Sequence, residues 1–376
     1  MSTRRSAAAR CLGDIGTFAS KYWGRLPMLR RGSEPFDDLF DVHAVEELLT
    51  NLGRRPTFRI VKAGSSFAPS EYTKRTRVGG VEIEDVADID RVLDLVAAGA
   101  TVVLQGLHRT WTPLRDFCRE LEELSSHAVQ ANAYLSPPDA AGLAAHADRH
   151  DVVVLQVAGV KQWTVDGLGD LALTAGDAMY VPAGSRHAAS TAGSFSLHLT
   201  IGLMATTRRQ VLRRIVDGLD ADLDRPLPFG YATGDPEALT ADLDDVLRRV
   251  VGQLAGKSAA EVAEDQLNRA RRLRRTGAGR LAVAVDPTLL TDDLHLRRRA
   301  GTALGMEVGA DGGVVVQLDD RRLRMPAAAG AAMAVVVAQT ELAVGELVGL
   351  DRQSRVVLAG RLIREGALEL AGLSSR

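Results

Sequence analysis

Gly142-Leu143-Ala144-Ala145-His146-Ala147-Asp148 opens a stretch that runs to His187 and decides how the chain folds. An apolar run follows, Val152-Val153-Val154-Leu155-Gln156-Val157. A turn is expected at Ala158-Gly159-Val160, and then comes Lys161-Gln162-Trp163-Thr164-Val165. The stretch closes with Gly176-Asp177-Ala178-Met179-Tyr180-Val181-Pro182-Ala183-Gly184-Ser185-Arg186-His187. It reads as neighbouring strands of a small β-barrel. Alternate residues of a strand face one side, so His146 and Asp148 project together. His187 follows the turn Pro182-Ala183-Gly184-Ser185 and brings a third ligand from another strand. Two imidazoles and a carboxylate on one face of a metal leave the opposite positions open. Non-haem Fe(II) oxygenases use those positions for cosubstrate and O2. His-x-Asp by itself is short enough to recur by chance, so the reading leans on His187 and the pattern around it.

Gly176, Pro182, Gly184 and His187 resemble the second cupin motif, a glycine, five residues, Pro-x-Gly, two residues and a histidine. The first cupin motif usually supplies His-x-His and then a glutamate. Here Asp148 stands for the second histidine, and apolar Val152 lies near the expected glutamate. The chain therefore resembles the three-ligand branch, the JmjC-type 2-oxoglutarate oxygenases. Within that branch it is similar to the ribosomal oxygenases, the bacterial arginine hydroxylase and the human nucleolar histidine hydroxylases. The resemblance implies an α+β architecture: a double-stranded β-helix (cupin/jelly-roll, JmjC-type), a helical dimerisation segment and a C-terminal winged-helix domain. It implies Fe(II) on His146, Asp148 and His187, with 2-oxoglutarate and O2 as cosubstrates. It implies hydroxylation of an amino-acid side chain in a protein or peptide, first of all a ribosomal protein.

The family carries a basic residue fifteen positions after the first histidine, and Lys161 stands there. A lysine entering a barrel interior is expensive to bury without a negative partner, and the distal carboxylate of 2-oxoglutarate would be one. Position alone favours a surface lysine beside a turn; the family spacing reverses that preference. Relatives also have Asn-x-Tyr before a Pro-Pro or Pro-Gly turn, matched here by Asn132, Tyr134 and Pro137-Pro138 on a strand over Gln130 to Ser136. Asn132 would then hydrogen-bond near the cofactors and Tyr134 would line the substrate cleft, unless both merely hold the loop. His150 shares the face of His146 and Asp148 and is assigned to the rim beside them; with Asp151 it leaves the register of the ligand pair open. His198, on the opposite face from Leu197 and Leu199, either lines the cofactor pocket or is a satisfied core histidine. One departure concerns the substrate: relatives often have an arginine on the strand at 101 to 104, where this chain has Val102, Val103 and Leu104.

The 376 residues divide into a catalytic domain over 1–205, helices over 206–280 and a last domain over 281–376. Hydrophobic residues at 46% and charged residues at 25% are those of a globular chain. A formal charge of -2 gives no footprint for nucleic acid. Cys11 and Cys118 make neither a disulfide framework nor a zinc cluster, which fits a reducing cytoplasm. No stretch approaches the roughly 18 apolar residues of a membrane span. Over residues 12 to 30 a helix is expected, followed by the segment Tyr22 to Leu29 with Trp23 as an anchor on the barrel. Further helices are expected at 42 to 52, 89 to 98 and 111 to 124. An edge strand is expected at Phe58 to Lys62, and a loop at 63 to 80 with Tyr72 near the site mouth. Ser194 to Leu203 would be the last barrel strand. Helices at 208 to 218, 239 to 254 and 261 to 275 would dimerise or act as a spacer. In the last domain, strands at 314–318 and 322–325 flank Asp319-Asp320 as a hairpin, and helices are expected at 327–337 and 341–348. Residues 286–376 carry 11 Arg and no Lys against 12 Asp plus Glu, a poor phosphate binder, so DNA is an unfavoured partner.

Other classes fit the same residues: a hydroxylase of a small peptide or amino-acid metabolite, a cupin using Mn or Ni, or a non-catalytic cupin with a winged helix that senses a ligand and reads DNA. Tight sequence-dependent DNA binding would favour the last.

Overall fold

The computed structural model describes residues 6–371 apart from positions 33, 52, 143, 221, 235, 273–279, 300, 301, 303, 310, 311 and 320. Its contacts divide the chain into two units, with the boundary between Ala205 and Thr206.

Thirteen strands belong to the first unit: β1 (Met28–Arg30), β2 (Phe58–Lys62), β3 (Ser65–Ser66), β4 (Thr73–Val78), β5 (Val81–Ala87), β6 (Thr101–Leu104), β7 (Ala128–Ser136), β8 (His146–Ala147), β9 (Asp151–Val165), β10 (Gly169–Thr174), β11 (Ala178–Val181), β12 (Arg186–Ser190) and β13 (Ser196–Met204). The main sheet runs β1-β11-β9-β13-β7-β6-β2-β3, while β10 and β12 pair with β9 and β8 pairs with β12. β4 and β5 form a separate hairpin. Among the described residues the barrel pairings are antiparallel, as in a double-stranded β-helix.

β9 links the two layers. Its first half pairs with β11 and β13, and its second half pairs with β10 and β12. The turn expected at Ala158-Gly159-Val160 is therefore a bend inside one continuous strand. The reason lies in the partner strands: the register against β13 shifts between Leu197 and His198, so the chain changes direction without leaving the ladder. Gly159 takes φ +67 at this corner, and a Cβ there would stand 1.9 Å from the Phe195 carbonyl oxygen.

Alternation then sorts the side chains. Ile60, Val102, Leu104, Ala131, Ala133, Val153, Leu155, Tyr180, Leu197, Leu199 and Ile201 enter the large core. That core is covered by helices Val42–Thr50, Ile89–Ala97 and Thr112–Ser125, whose buried residues include Leu49, Val92, Leu114, Phe117 and Leu121. Cys11 and Cys118 are free thiols buried in the same core. Val152, Val154, Trp163, Val165, Leu173, Met179 and Val181 make a second, smaller cluster.

Helical turns at Ile15–Thr17 and Phe18–Tyr22 lead to the segment before β1, where Met28 to Arg30 pair with Tyr180 to Ala178. Trp23 does stack on Tyr180, with ring centroids 6.3 Å apart. Two expectations are corrected. Residues 63 to 80 are not all loop, since β3 and β4 form there. Tyr72 is buried edge-on against Phe58 and takes no place at the site mouth.

The second unit, Thr206–Leu370, contains helices Arg208–Asp217, Pro236–Ala255, Ala259–Arg272, Gly330–Ala338 and Arg352–Glu365. Leu296, Val316, Met333, Val336, Leu342, Leu362 and Ile363 belong to its own core. The expected hairpin is present as Val314–Leu318 against Arg321–Met325; Asp320 lies outside the described residues. Residues 341 to 348 are a strand, Glu341–Ala343, and a short 3-10 turn, rather than a helix, because Leu342 pairs with Leu296. The end of the basic run, 273–275, lies outside the described residues.

Two glycines separate backbone strain from steric exclusion. Gly184 has φ +84 with open space beside it, so Gly184→Ala should cost only about 1–2 kcal/mol of left-handed strain. Gly159→Ala adds a collision with the Phe195 carbonyl and should cost well above that. Urea unfolding of both variants checks the order.

Candidate metal centre

β8 and β12 lie side by side, with His187 paired to His146 and Arg186 to Ala147. This register puts the two imidazoles together, with ring centroids 4.5 Å apart. Asp148 follows β8 immediately. Its Oδ2 is 3.6 Å from His187 Nε2 and its Oδ1 is 4.0 Å from His146 Nε2. One ligand atom from each of His146, Asp148 and His187 lies within 4.8 Å of the others.

The imidazoles are held from behind. His146 Nδ1 is 2.9 Å from the Ala144 carbonyl, and His187 Nδ1 is 3.0 Å from the Ser185 carbonyl. A ring nitrogen facing a carbonyl carries the proton, which leaves the Nε2 lone pair free toward Asp148. Metal-binding histidines are commonly oriented in this way. The residues present therefore fit a divalent cation. Asp148 also holds its partner turn, since its carbonyl accepts from Gly184 N–H at 2.9 Å. Asp151 is not in the cluster: its buried carboxylate accepts from Ala183 N–H at 2.7 Å and so fixes the turn before His187.

Behind the three ligands is a cavity of about 300 Å³, lined by His146, Asp148, His187, Lys161, Tyr134 and His198 among others. Lys161 is buried, and its Nζ donates to Ser136 Oγ at 2.9 Å. Ser136 Oγ is in turn 2.9 Å from Thr101 Oγ1. Among the described residues no carboxylate lies within ion-pair distance of this ammonium. Burial lowers the Lys161 pKa to about 8.

Tyr134 and His198 are paired across β7 and β13 and stack with ring planes 3° apart and centroids 4.9 Å apart. Trp163 closes the other side of His198, edge to face at 5.6 Å. Burial holds His198 well below the usual imidazole range, so it is neutral, and its Nδ1 is buried without a hydrogen-bond partner. Burial also raises the Tyr134 phenol, and Thr200 and Arg59 line the same cavity.

Two residues assigned from the sequence lie elsewhere. Asn132 does not line the cavity; its Oδ1 accepts from Gly106 N–H at 3.0 Å and fixes the start of the short helix Leu107–Thr110. His150 does not line it either, and its ring lies against Gly202 on β13. Sequence reasoning missed Ser136, Thr101 and Arg59. Ser136 was within reach: 132, 134 and 136 share one face of β7 by simple alternation. Arg59 lies on the strand expected at Phe58 to Lys62 and lines the cavity; its pairing with Val103 on β6 shows which row it belongs to.

Comparisons with known proteins agree with this geometry. The JmjC domain family matches residues 107–169, a span that includes His146, Asp148 and Lys161 and ends before His187. The chain is 34% identical over 152 residues to a bifunctional lysine-specific demethylase and histidyl-hydroxylase NO66 from Drosophila simulans, covering 31% of this chain and 18% of the relative. The Culex quinquefasciatus protein of the same name is 29% identical over 231 residues, 50% of this chain and 33% of the relative. The chain thus spans about a fifth to a third of the length of these relatives. A solved structure of YcfD, a ribosomal oxygenase from Escherichia coli, in complex with cobalt and 2-oxoglutarate, superposes with a TM-score of 0.55. It shares 15% identity and covers 96% of this chain and 99% of that one, so the two have the same fold.

Replacing any one ligand leaves two. His146→Ala, Asp148→Ala and His187→Ala should each weaken Mn(II) binding by at least about tenfold, as read by calorimetry. The thermal midpoint should stay close to that of the parent, because none of the three belongs to a hydrophobic cluster.

Proposed function

From a chain that carries a JmjC domain, we propose an Fe(II)- and 2-oxoglutarate-dependent hydroxylase that acts on an amino-acid side chain of a protein or peptide, with a ribosomal protein the first candidate. One observation carries the reading: three residues placed to hold a metal and a buried lysine with no carboxylate partner among the described residues line the same cavity. A cation with two histidines and one carboxylate keeps positions for a chelating 2-oxo acid and O2. Bound iron would then supply the oxidative step, in which one oxygen atom enters a substrate C–H bond, the other ends in succinate, and CO2 leaves.

The protein's own groups bind and orient. Lys161 meets the distal carboxylate of 2-oxoglutarate, and the hydroxyls of Ser136 and Thr101 lie beside it as further donors. Val152, Val154, Val181 and Trp163 form an apolar wall that keeps water from this end. His187 is only 8% exposed, while His146 and Asp148 are 37% and 34% exposed, so substrate approaches from their side. His198 and Tyr134 present a stacked neutral wall between the metal and Lys161's partners.

The second unit is read as the dimerising and winged-helix part. Its helices Arg208–Asp217, Pro236–Ala255 and Ala259–Arg272 carry exposed Leu212, Leu243, Leu247, Val251 and Leu267, apolar surface that a second copy would cover. Light scattering should give twice the chain mass, and the pair Leu247→Glu and Val251→Glu should halve it. No helix among the described residues is long and apolar enough to cross a membrane.

The direct test is conversion of 2-oxoglutarate to succinate by iron-loaded protein. Mass spectrometry of ribosomal proteins with and without the gene would identify the target by a lost oxygen atom. Lys161→Met should raise the 2-oxoglutarate Kd about hundredfold by removing the partner of a buried charge, with Mn(II) affinity unaltered. The pH dependence follows from the lowered Lys161 pKa of about 8. Binding a carboxylate favours the protonated amine, so affinity is full below pH 8 and falls above it, by up to about tenfold per pH unit. For folding the sign is the reverse. The unfolded chain holds its lysine proton above pH 8, so the cosubstrate-free protein gains stability as pH rises from about 8 toward the ordinary lysine value.

A further inference from the structure

Relatives lead one to expect an arginine on β6, and Val103 stands inward on that strand. The structure shows where a guanidinium comes from instead. Arg59 on β2 is paired with Val103, Val103 with Tyr134 on β7, and Tyr134 with His198 on β13. These four residues form one inward row across four strands. The neighbouring inward row contains Val61, Thr101, Ser136 and Ser196, where Lys161 is anchored. Two residues along a strand separate the rows by about 7 Å. Val103 is short and offers no donor, and Arg59 and Tyr134 on either side of it both line the cavity.

The charge on Arg59 is not neutralised. Among the described residues it makes no ion pair, and its Nε is buried without a hydrogen-bond partner. Asp148, the one carboxylate that lines the cavity among those residues, belongs to the metal centre. With Fe(II), Asp148, 2-oxoglutarate and a protonated Lys161 in place the formal charges cancel, and Arg59 leaves one positive charge over. A half-buried guanidinium whose buried Nε has no hydrogen-bond partner calls for an oxygen acceptor. It also raises the cost of bringing a second cation into the same low-dielectric space.

We propose that Arg59 and the Tyr134 hydroxyl form an acceptor-binding site on the cavity wall that takes a carboxylate or amide oxygen of the substrate side chain and excludes arginine and lysine side chains. Arg59 is thus a specificity-determining residue, and the modified side chain is acidic or neutral and polar. This rests on the hydroxylase reading, because it assumes that the cavity beside the metal receives a protein side chain.

The test uses full-length protein loaded with Mn(II), with and without 2-oxoglutarate. The probes are capped tripeptides Gly-X-Gly in which X is aspartate, asparagine or arginine, and binding is read by calorimetry. The aspartate peptide should bind at least about tenfold more tightly than the arginine peptide, as expected for one charge-assisted contact against one like-charge repulsion. Arg59→Gln should bring the two to within about threefold and Arg59→Glu should invert the order, since the discriminating charge is then removed or reversed. The 2-oxoglutarate Kd of Arg59→Gln should stay near that of the parent. Equal binding of all three peptides, a preference for arginine, or a preference that survives Arg59→Gln overturns the proposal. So does a loss of 2-oxoglutarate affinity in Arg59→Gln as large as that of Lys161→Met, which would make Arg59 a cosubstrate clamp. The two readings fail separately: absent 2-oxoglutarate binding with the peptide preference intact sinks the hydroxylase alone, and the converse sinks only the Arg59 site.

Discussion

The bend of β9 at Gly159 is the constraint on which the site depends. One strand serves both layers of the barrel, so its two halves cannot shift independently. The first half is locked between β11 and β13 by Val152 to Gln156. The second half carries Lys161 and Trp163 and pairs with β12, which brings His187. The strand also passes so close to Phe195 that no Cβ fits at its corner. A slip of one residue would turn Lys161 out of the cavity and bury Gln162 in its place. The Lys161 pocket and the position of His187 are therefore set by the same backbone.

The polar groups inside this barrel are satisfied unevenly, and the pattern follows what each has to do. Asp151 and Asn132 spend their acceptors on backbone N–H groups and hold turns. His146 and His187 use one nitrogen on a carbonyl and keep the other free. Lys161 donates to a hydroxyl and the Arg59 Nε has no partner, and among the described residues neither has a counter-charge. A buried ammonium and a half-buried guanidinium left in this state cost stability in the free protein and gain it back when an anion arrives. Their position on adjacent rows of one sheet gives the cavity two anion-seeking walls with the metal centre beside them.

Much of this was legible in the sequence because it is local. His146, Asp148 and His187 are fixed by alternation and a turn, and the glycine-proline spacing around His187 is short-range. Lys161 was legible only through a spacing known from a family, since a surface lysine beside a turn has the same local sequence. What alternation could not give was which strands become neighbours. Arg59 could not be assigned to the cavity until the pairing of β2 with β6 and of β6 with β7 put it in one row with Val103 and Tyr134. Asn132 carries the same face as Tyr134, yet the Gly106 turn claims it.

The central claim is that the three ligands and Lys161 are one site, built for a metal and a dicarboxylate together. Anaerobic titration with Fe(II) and 2-oxoglutarate tests it most directly, because a chelated Fe(II)–2-oxo acid pair absorbs visible light and neither component does so alone. The visible band should appear only when both are present, saturate at one of each per chain, and be absent in His187→Ala. A dicarboxylate that binds equally well with and without metal, or a band that survives His187→Ala, would contradict it.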